Sequence, residues 1–177
     1  DENQQGQNIT IAVVDSGVYY NHEHLLPNLK VKASESSQNG ADSDGNGYID
    51  DYKGWDFYND DNDPEDDNGH GTHVAGLAAG VLSGVAPKAK ILPIKVLSST
   101  GSGDIGTVAA GILYAIQNGA DVINLSLGGS TGATITDEVR QLISNINVGE
   151  QNGVILVAAA GNGGGDGQGD SNDLCPV

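Results

Sequence analysis

Residues 9–17 read ITIAVVDSG, and this run decides the fold. From Ile9 to Val14 there is no apolar/polar alternation, only β-branched and small apolar residues, which predicts a strand buried on both faces. Strands buried on both faces belong to parallel sheets covered by helices on both sides. The run closes on Asp15 and then Ser16-Gly17. A carboxylate therefore stands at the carboxyl end of a central strand, where such sheets gather their functional groups.

Working outward, residues 89–97 (AKILPIKVL), 121–125 (DVINL) and 154–160 (VILVAAA) read as further strands. Pro93 requires an edge or a bulge in the first of these. Small and apolar residues at 72–79 predict a tightly packed helix. The helix predicted over 104–118 has an apolar face of Ile105, Val108, Ala109, Ile112, Leu113 and Ile116, with Asp104 as N-cap and Gly119 as its stop. Val139, Leu142, Ile143 and Ile146 mark another over 136–148. Strands alternating with helices predict an α/β fold, a doubly wound and mostly parallel sheet with helices on both faces. Ser126-Leu127-Gly128 and Gly161-Asn162 fall at the ends of two more strands.

The chain has 177 residues, 37% of them hydrophobic, enough for one domain with a core. It carries 24 acidic residues against 7 Lys and Arg, a net charge of −17, which excludes a phosphate-backbone binder. Eleven of those acids lie between Asp42 and Asp67, within a glycine- and asparagine-rich insertion at about 34–68. Such clustering points to a local role rather than a diffuse acidic surface. Cys175 is the single cysteine, so it is a buried thiol or pairs outside the chain. No apolar run has the length of a membrane span, and DENQQGQ lacks a signal-peptide pattern.

Within the insertion, Asp42, Asp44, Asn46 and Gly47 follow the start of a calcium loop, D-x-[DN]-x-[DN]-G, with the Tyr48 carbonyl as the next ligand. Position 12 of such a loop is Lys53 rather than glutamate, so Asp50 or Asp51 is expected to complete the shell. Downstream, His70 and His73 are spaced H-x-x-H. They suit either a zinc pair or a base on His70 with His73 as a packed helix residue. The glutamate of an H-E-x-x-H zinc site is absent. A general base needs a carboxylate to fix its tautomer, and Asp15 can supply one.

Five motifs together narrow these choices. VVDSG at 13–17, NGHGTHVAG at 68–76, GVAP at 84–87, DVINLSLG at 121–128 and AAAGN at 158–162 resemble, in order and separation, the motifs of the subtilisin-like serine protease family. The resemblance spans residues 6–162. It implies a secreted, calcium-bearing serine endopeptidase domain acting on polypeptides, in which Asp15 orients His70 and His70 is the general base. It implies Asn162 as the oxyanion-hole donor, with Ser102-Gly103 and Ser126-Leu127-Gly128 flanking a substrate held as an added strand. It also suggests a second calcium loop through Asp56, Asp61, Asp63 and Glu65, and leaves Asp66 and Asp67 as solvated residues.

Two departures from the family pattern matter. The usual calcium loop between the histidine helix and GVAP has no room at residues 79–83. The nucleophile motif G-T-S-M-A-x-P does not occur among these 177 residues. The resemblance therefore covers the N-terminal part, about two-thirds, of a single catalytic domain, with the serine expected on a downstream segment or second chain. Residues 1–177 alone are expected to be inactive by the triad mechanism, and unstable or aggregating through an unpaired sheet edge. The alternative is a non-catalytic calcium- or peptide-binding module that keeps the groove.

Overall fold

A computed structural model describes residues 4–35, 39–129 and 135–162. β1 (Thr10–Asp15) lies at the centre of a five-stranded, wholly parallel sheet, as its composition predicts. With β2 (Trp55–Asp56), β3 (Lys90–Lys95), β4 (Val122–Leu125) and β5 (Ile155–Ala158), the order is β2-β3-β1-β4-β5. Val13 is paired with Pro93 on one side and Asn124 on the other.

Successive β1 residues face opposite layers. Ala12 and Val14 pack with Val108, Ile112 and Ala115 of α2 (Ile105–Gln117), and Val13 packs with Ala75 and Ala79 of α1 (His70–Ala79). α3 (Asp137–Gln151) adds Leu142 and Ile146 to the α2 side. Helices thus cover both faces, which confirms the doubly wound fold.

Local chemistry sets the helix ends. The Asp104 side chain accepts from the Thr107 amide at 2.9 Å, and Gly119 takes φ 68° just past the end of α2. Thr136 caps α3, with Asp137 and Glu138 complementing the dipole in its first turn. β3 absorbs Pro93 without a bulge. Its odd-numbered backbone groups face away from β1: the Ile91 carbonyl accepts from Lys30 and the Lys95 carbonyl from Phe57. The missing Pro93 N–H therefore points outward, ahead of the short pairing between β2 and β3 that begins at Trp55–Ile94.

Two features go beyond the sequence reading. β2 was not expected, because two residues carry no periodicity. β5 reads only as a strand, with its burial left open; in the structure Ile155 is 62% and Val157 48% exposed, while Leu156 packs into the α2/α3 side. Among the described residues β5 stands at the edge of the sheet, and α1 lies over β1 and β3.

Candidate active site at the strand ends

Asp15, at the carboxyl end of β1, is fully buried. Its Oδ1 accepts from the Ser16 amide at 2.7 Å and stands 2.7 Å from Nδ1 of His70, the first residue of α1. A carboxylate only accepts, so this contact places the proton on Nδ1 and leaves Nε2 unprotonated in the neutral ring. The His70 side chain is 49% exposed and lines a cleft of about 600 Å³. Close approach of helix to strand makes the pairing possible. A Cβ on Gly71 would lie 2.1 Å from the Gly17 carbonyl oxygen.

Asp66, read as solvated, is structural, and that expectation is corrected; Asp67, read the same way, is half-exposed but paired. Asp66 accepts five hydrogen bonds, from the Ser16 hydroxyl, the Asn68 and Gly69 amides, and the Thr72 amide and hydroxyl. Ser16 in turn accepts from the Gly71 amide at 3.0 Å. Burial pushes the Asp66 carboxyl up, but these donors outweigh it and hold it below the ordinary carboxylate range. Asp66 thereby fastens the first turn of α1, which carries His70, to the end of β1. Asp67 lies 2.6 Å from Nζ of buried Lys95, which also donates to the Ser16 and Leu97 carbonyls. Lys95 was missed in the sequence because it reads as an ordinary residue of the strand predicted over 89–97. Six acids in eight positions likewise hid which of them meet donors.

The cleft gathers His70 with Ser102, Gly103, Ser126, Leu127 and Gly128, all expected around a substrate. It is floored by Ile105, Val108, Leu142 and Ile146, an apolar base between two extended segments. Asn162 is exposed beyond the end of β5 and is not among the lining residues. Cys175 lies outside the described residues.

The two expected metal loops separate. Asp42 and Asp44 come together with Glu35, one carboxylate oxygen of each lying within 4.8 Å of the others. Among the described residues this is the one such group, and Glu35 was not foreseen because it precedes the motif. Asn46 and Asp51 lie beside it, Asn46 donating to Asp51 at 2.9 Å. Asp51 also accepts from Tyr114 at 2.6 Å. Tyr48 packs its ring on Trp55 and Tyr114, while Asp50 accepts from the Asn39 and Gly40 amides.

The second set is not gathered. Asp56 accepts from the Tyr58 and Asn59 amides and the Asn59 side chain, and Asp61 accepts from the Asp63 amide. Asp63 and Glu65 both accept from Tyr20, at 2.5 and 3.2 Å.

His73 is exposed rather than packed. It lines a separate pocket of about 220 Å³ with His22 and His24. Among the described residues, neither histidine of H-x-x-H belongs to a cluster of three or more metal-ligating side chains.

The parallel α/β sheet thus sets a carboxylate-held imidazole at the rim of an open cleft. The chain belongs to the subtilase family (Peptidase_S8), whose profile matches residues 6–176. It is 40% identical over 166 residues to thermitase of Thermoactinomyces vulgaris, covering 90% of this chain and 50% of that protein. Subtilisin DY of Bacillus licheniformis is 37% identical over 169 residues, covering 92% and 50%. In three dimensions the chain is similar to a cold adapted subtilisin-like serine proteinase. The TM-score is 0.67 at 34% identity, covering 90% of this chain and 49% of that one. The chain spans about half the length of these relatives.

Proposed function

We propose that residues 1–177 are part of a secreted, calcium-stabilised serine endopeptidase whose nucleophile is supplied by a segment outside them. The observation that carries this reading is the 2.7 Å contact between His70 Nδ1 and buried Asp15, made by a ring open to the cleft. With Nδ1–H held, Nε2 takes the proton of a serine hydroxyl as it attacks the scissile carbonyl, then returns it to the leaving amine. Asp15 stabilises the imidazolium between the two steps.

The segments at Ser102-Gly103 and Ser126-Leu127-Gly128 bind a polypeptide as an added strand, through backbone hydrogen bonds. Asn162 donates its amide to the tetrahedral oxyanion, on the family resemblance. Calcium in the acidic insertion offsets the ordering entropy of a long glycine-rich loop. The oxygen-only donor set suits a hard cation, and the Glu35–Asp42–Asp44 group supports it better than the dispersed Asp56–Glu65 set.

The test is fluorophosphonate labelling and peptide hydrolysis by the native protein in calcium, with intact mass to identify the labelled polypeptide. A labelled serine outside residues 1–177, with Asp15→Asn lowering kcat about 10⁴-fold, supports the reading. Neither label nor hydrolysis would reassign the groove to a non-catalytic binding module.

A further inference from the structure

Glu35 poses a problem that the insertion's motif does not solve. It is 8% exposed. Its Oε1 accepts from the Ser43 and Asp44 amides at 3.0 and 2.9 Å. Its Oε2 is sealed from solvent and has no hydrogen-bond donor. A buried carboxylate left half-partnered is expensive, and such groups persist where another ligand completes them. Close by, Asp51 Oδ1 is likewise buried without a donor. The Lys32 ammonium contacts Asp44 at 3.2 Å and Asp51 at 2.5 Å, while Glu35 and Asp42 gather on Asp44 from elsewhere. The local charge is short of cations.

The motif has the complementary deficit. A D-x-D-x-N-G loop closes with a bidentate glutamate at position 12, which here is Lys53. Lys53 turns away, donating to Tyr20 and Asp63. Neither candidate for its replacement is free to serve fully. Asp50 spends both oxygens on the Asn39 and Gly40 amides, and Asp51 Oδ2 is taken by Lys32, Asn46 and Tyr114.

We propose that Glu35, from the segment before the motif, is the closing ligand of the loop, and that Glu35, Asp42 and Asp44 hold one Ca²⁺ between them. This rests on the calcium reading of the insertion and assigns its ligands. Glu35 Oε1 stays on the loop amides and positions the side chain, while Oε2 turns its unpartnered lone pairs to the cation. Three charged oxygens in a flexible glycine loop favour Ca²⁺ over Mg²⁺, which demands a rigid octahedron. The ligand order is thus permuted, with the carboxylate that ends an ordinary loop placed ahead of its first aspartate.

The experiment is calorimetric titration with CaCl₂ of the full-length polypeptide after chelator treatment, comparing the parent with Glu35→Gln, Asp44→Asn and Asp61→Asn. Gln retains the oxygen that accepts the two amides and removes the charge facing the cation. Near-UV circular dichroism of the Tyr48, Trp55 and Tyr114 cluster checks that the calcium-free loop keeps its packing. The expected result is loss of one site, or at least tenfold weaker binding there, in E35Q and D44N alike, with D61N unchanged. Should E35Q disturb the loop, D44N together with a charge-preserving Glu35→Asp, too short to reach and expected to weaken the same site, carries the comparison. Parental binding in E35Q with loss in D44N overturns the role of Glu35 while leaving calcium in the loop. Parental binding in both overturns the site and the calcium reading of this loop together.

Discussion

The acidic insertion holds two stretches of nearly identical composition that the fold uses in opposite ways. Between Asp42 and Asp51 the carboxylates converge and some of their oxygens go unpartnered, Asp51 Oδ1 among them and Glu35 Oε2 from just upstream. Between Asp56 and Asp67 nearly every acid meets a donor of the protein itself: the Asn59, Asp63 and Thr72 amides, the Tyr20 phenol, the Lys95 ammonium. The first stretch gathers three carboxylates into one group, and the second ties its carboxylates to the protein's own donors. Composition does not separate these roles. Asp42 itself accepts from the Gly45, Asn46 and Gly47 amides, so what separates the stretches is the two buried oxygens left without a donor, Glu35 Oε2 and Asp51 Oδ1.

The comparison can be broken most sharply at Asp66. Asp66→Ala removes five accepted hydrogen bonds at once and is expected to destabilise by about 2–3 kcal/mol in denaturant unfolding. Because α1 carries His70, its activity should fall further than its stability explains. An unchanged stability would return Asp66 to the solvent. Stripping calcium from the first stretch comes next. At a calcium concentration a hundredfold above Kd, chelation is expected to cost about 2.7 kcal/mol, read as a calcium-dependent Tm, and that dependence should shrink or vanish in Glu35→Gln.

Asp67→Ala leaves the Lys95 ammonium in the interior with only two carbonyls, a loss of about 1.5–3 kcal/mol by the same unfolding measurement. The pH dependence sharpens the picture. Asp66 is held below its ordinary range, so the unfolded chain binds its proton first as pH falls. Its contribution is complete above the ordinary carboxylate value near pH 4 and is lost as pH drops through the lower folded value. Asp66→Asn should flatten that part of the acid unfolding profile. Asp61→Asn, which gives up one local amide contact, should change stability by less than about 0.5 kcal/mol and calcium binding not at all.

Much of the fold was legible. The unbroken apolar run of β1 and the i, i+3, i+4, i+7 spacing in α2 and α3 state their burial directly, and Asp104 and Gly119 mark the ends of α2 by local bonds. The pairing of Asp15 with His70 was legible only through motif order, since 55 residues separate them. The two wall segments of the cleft were found the same way. β2 was not legible because two residues lack a period. The exposure of Ile155 and Val157 was not either, because an apolar strand reads alike whether or not its second face is covered.

By itself, then, the sequence determined the alternation of strands and helices, the central place of β1, and which motifs stand at strand ends, because periodicity and capping are encoded within a few residues. The tertiary structure alone decided that Asp66 binds the first turn of α1, that Asp67 pairs with Lys95, and that His73 lines a pocket with His22 and His24 instead of packing. It alone decided that Glu35 joins a loop it precedes. Each of those outcomes depends on partners brought from distant parts of the chain, and whether a carboxylate is solvated, paired or left open to a cation is fixed only by what packs against it.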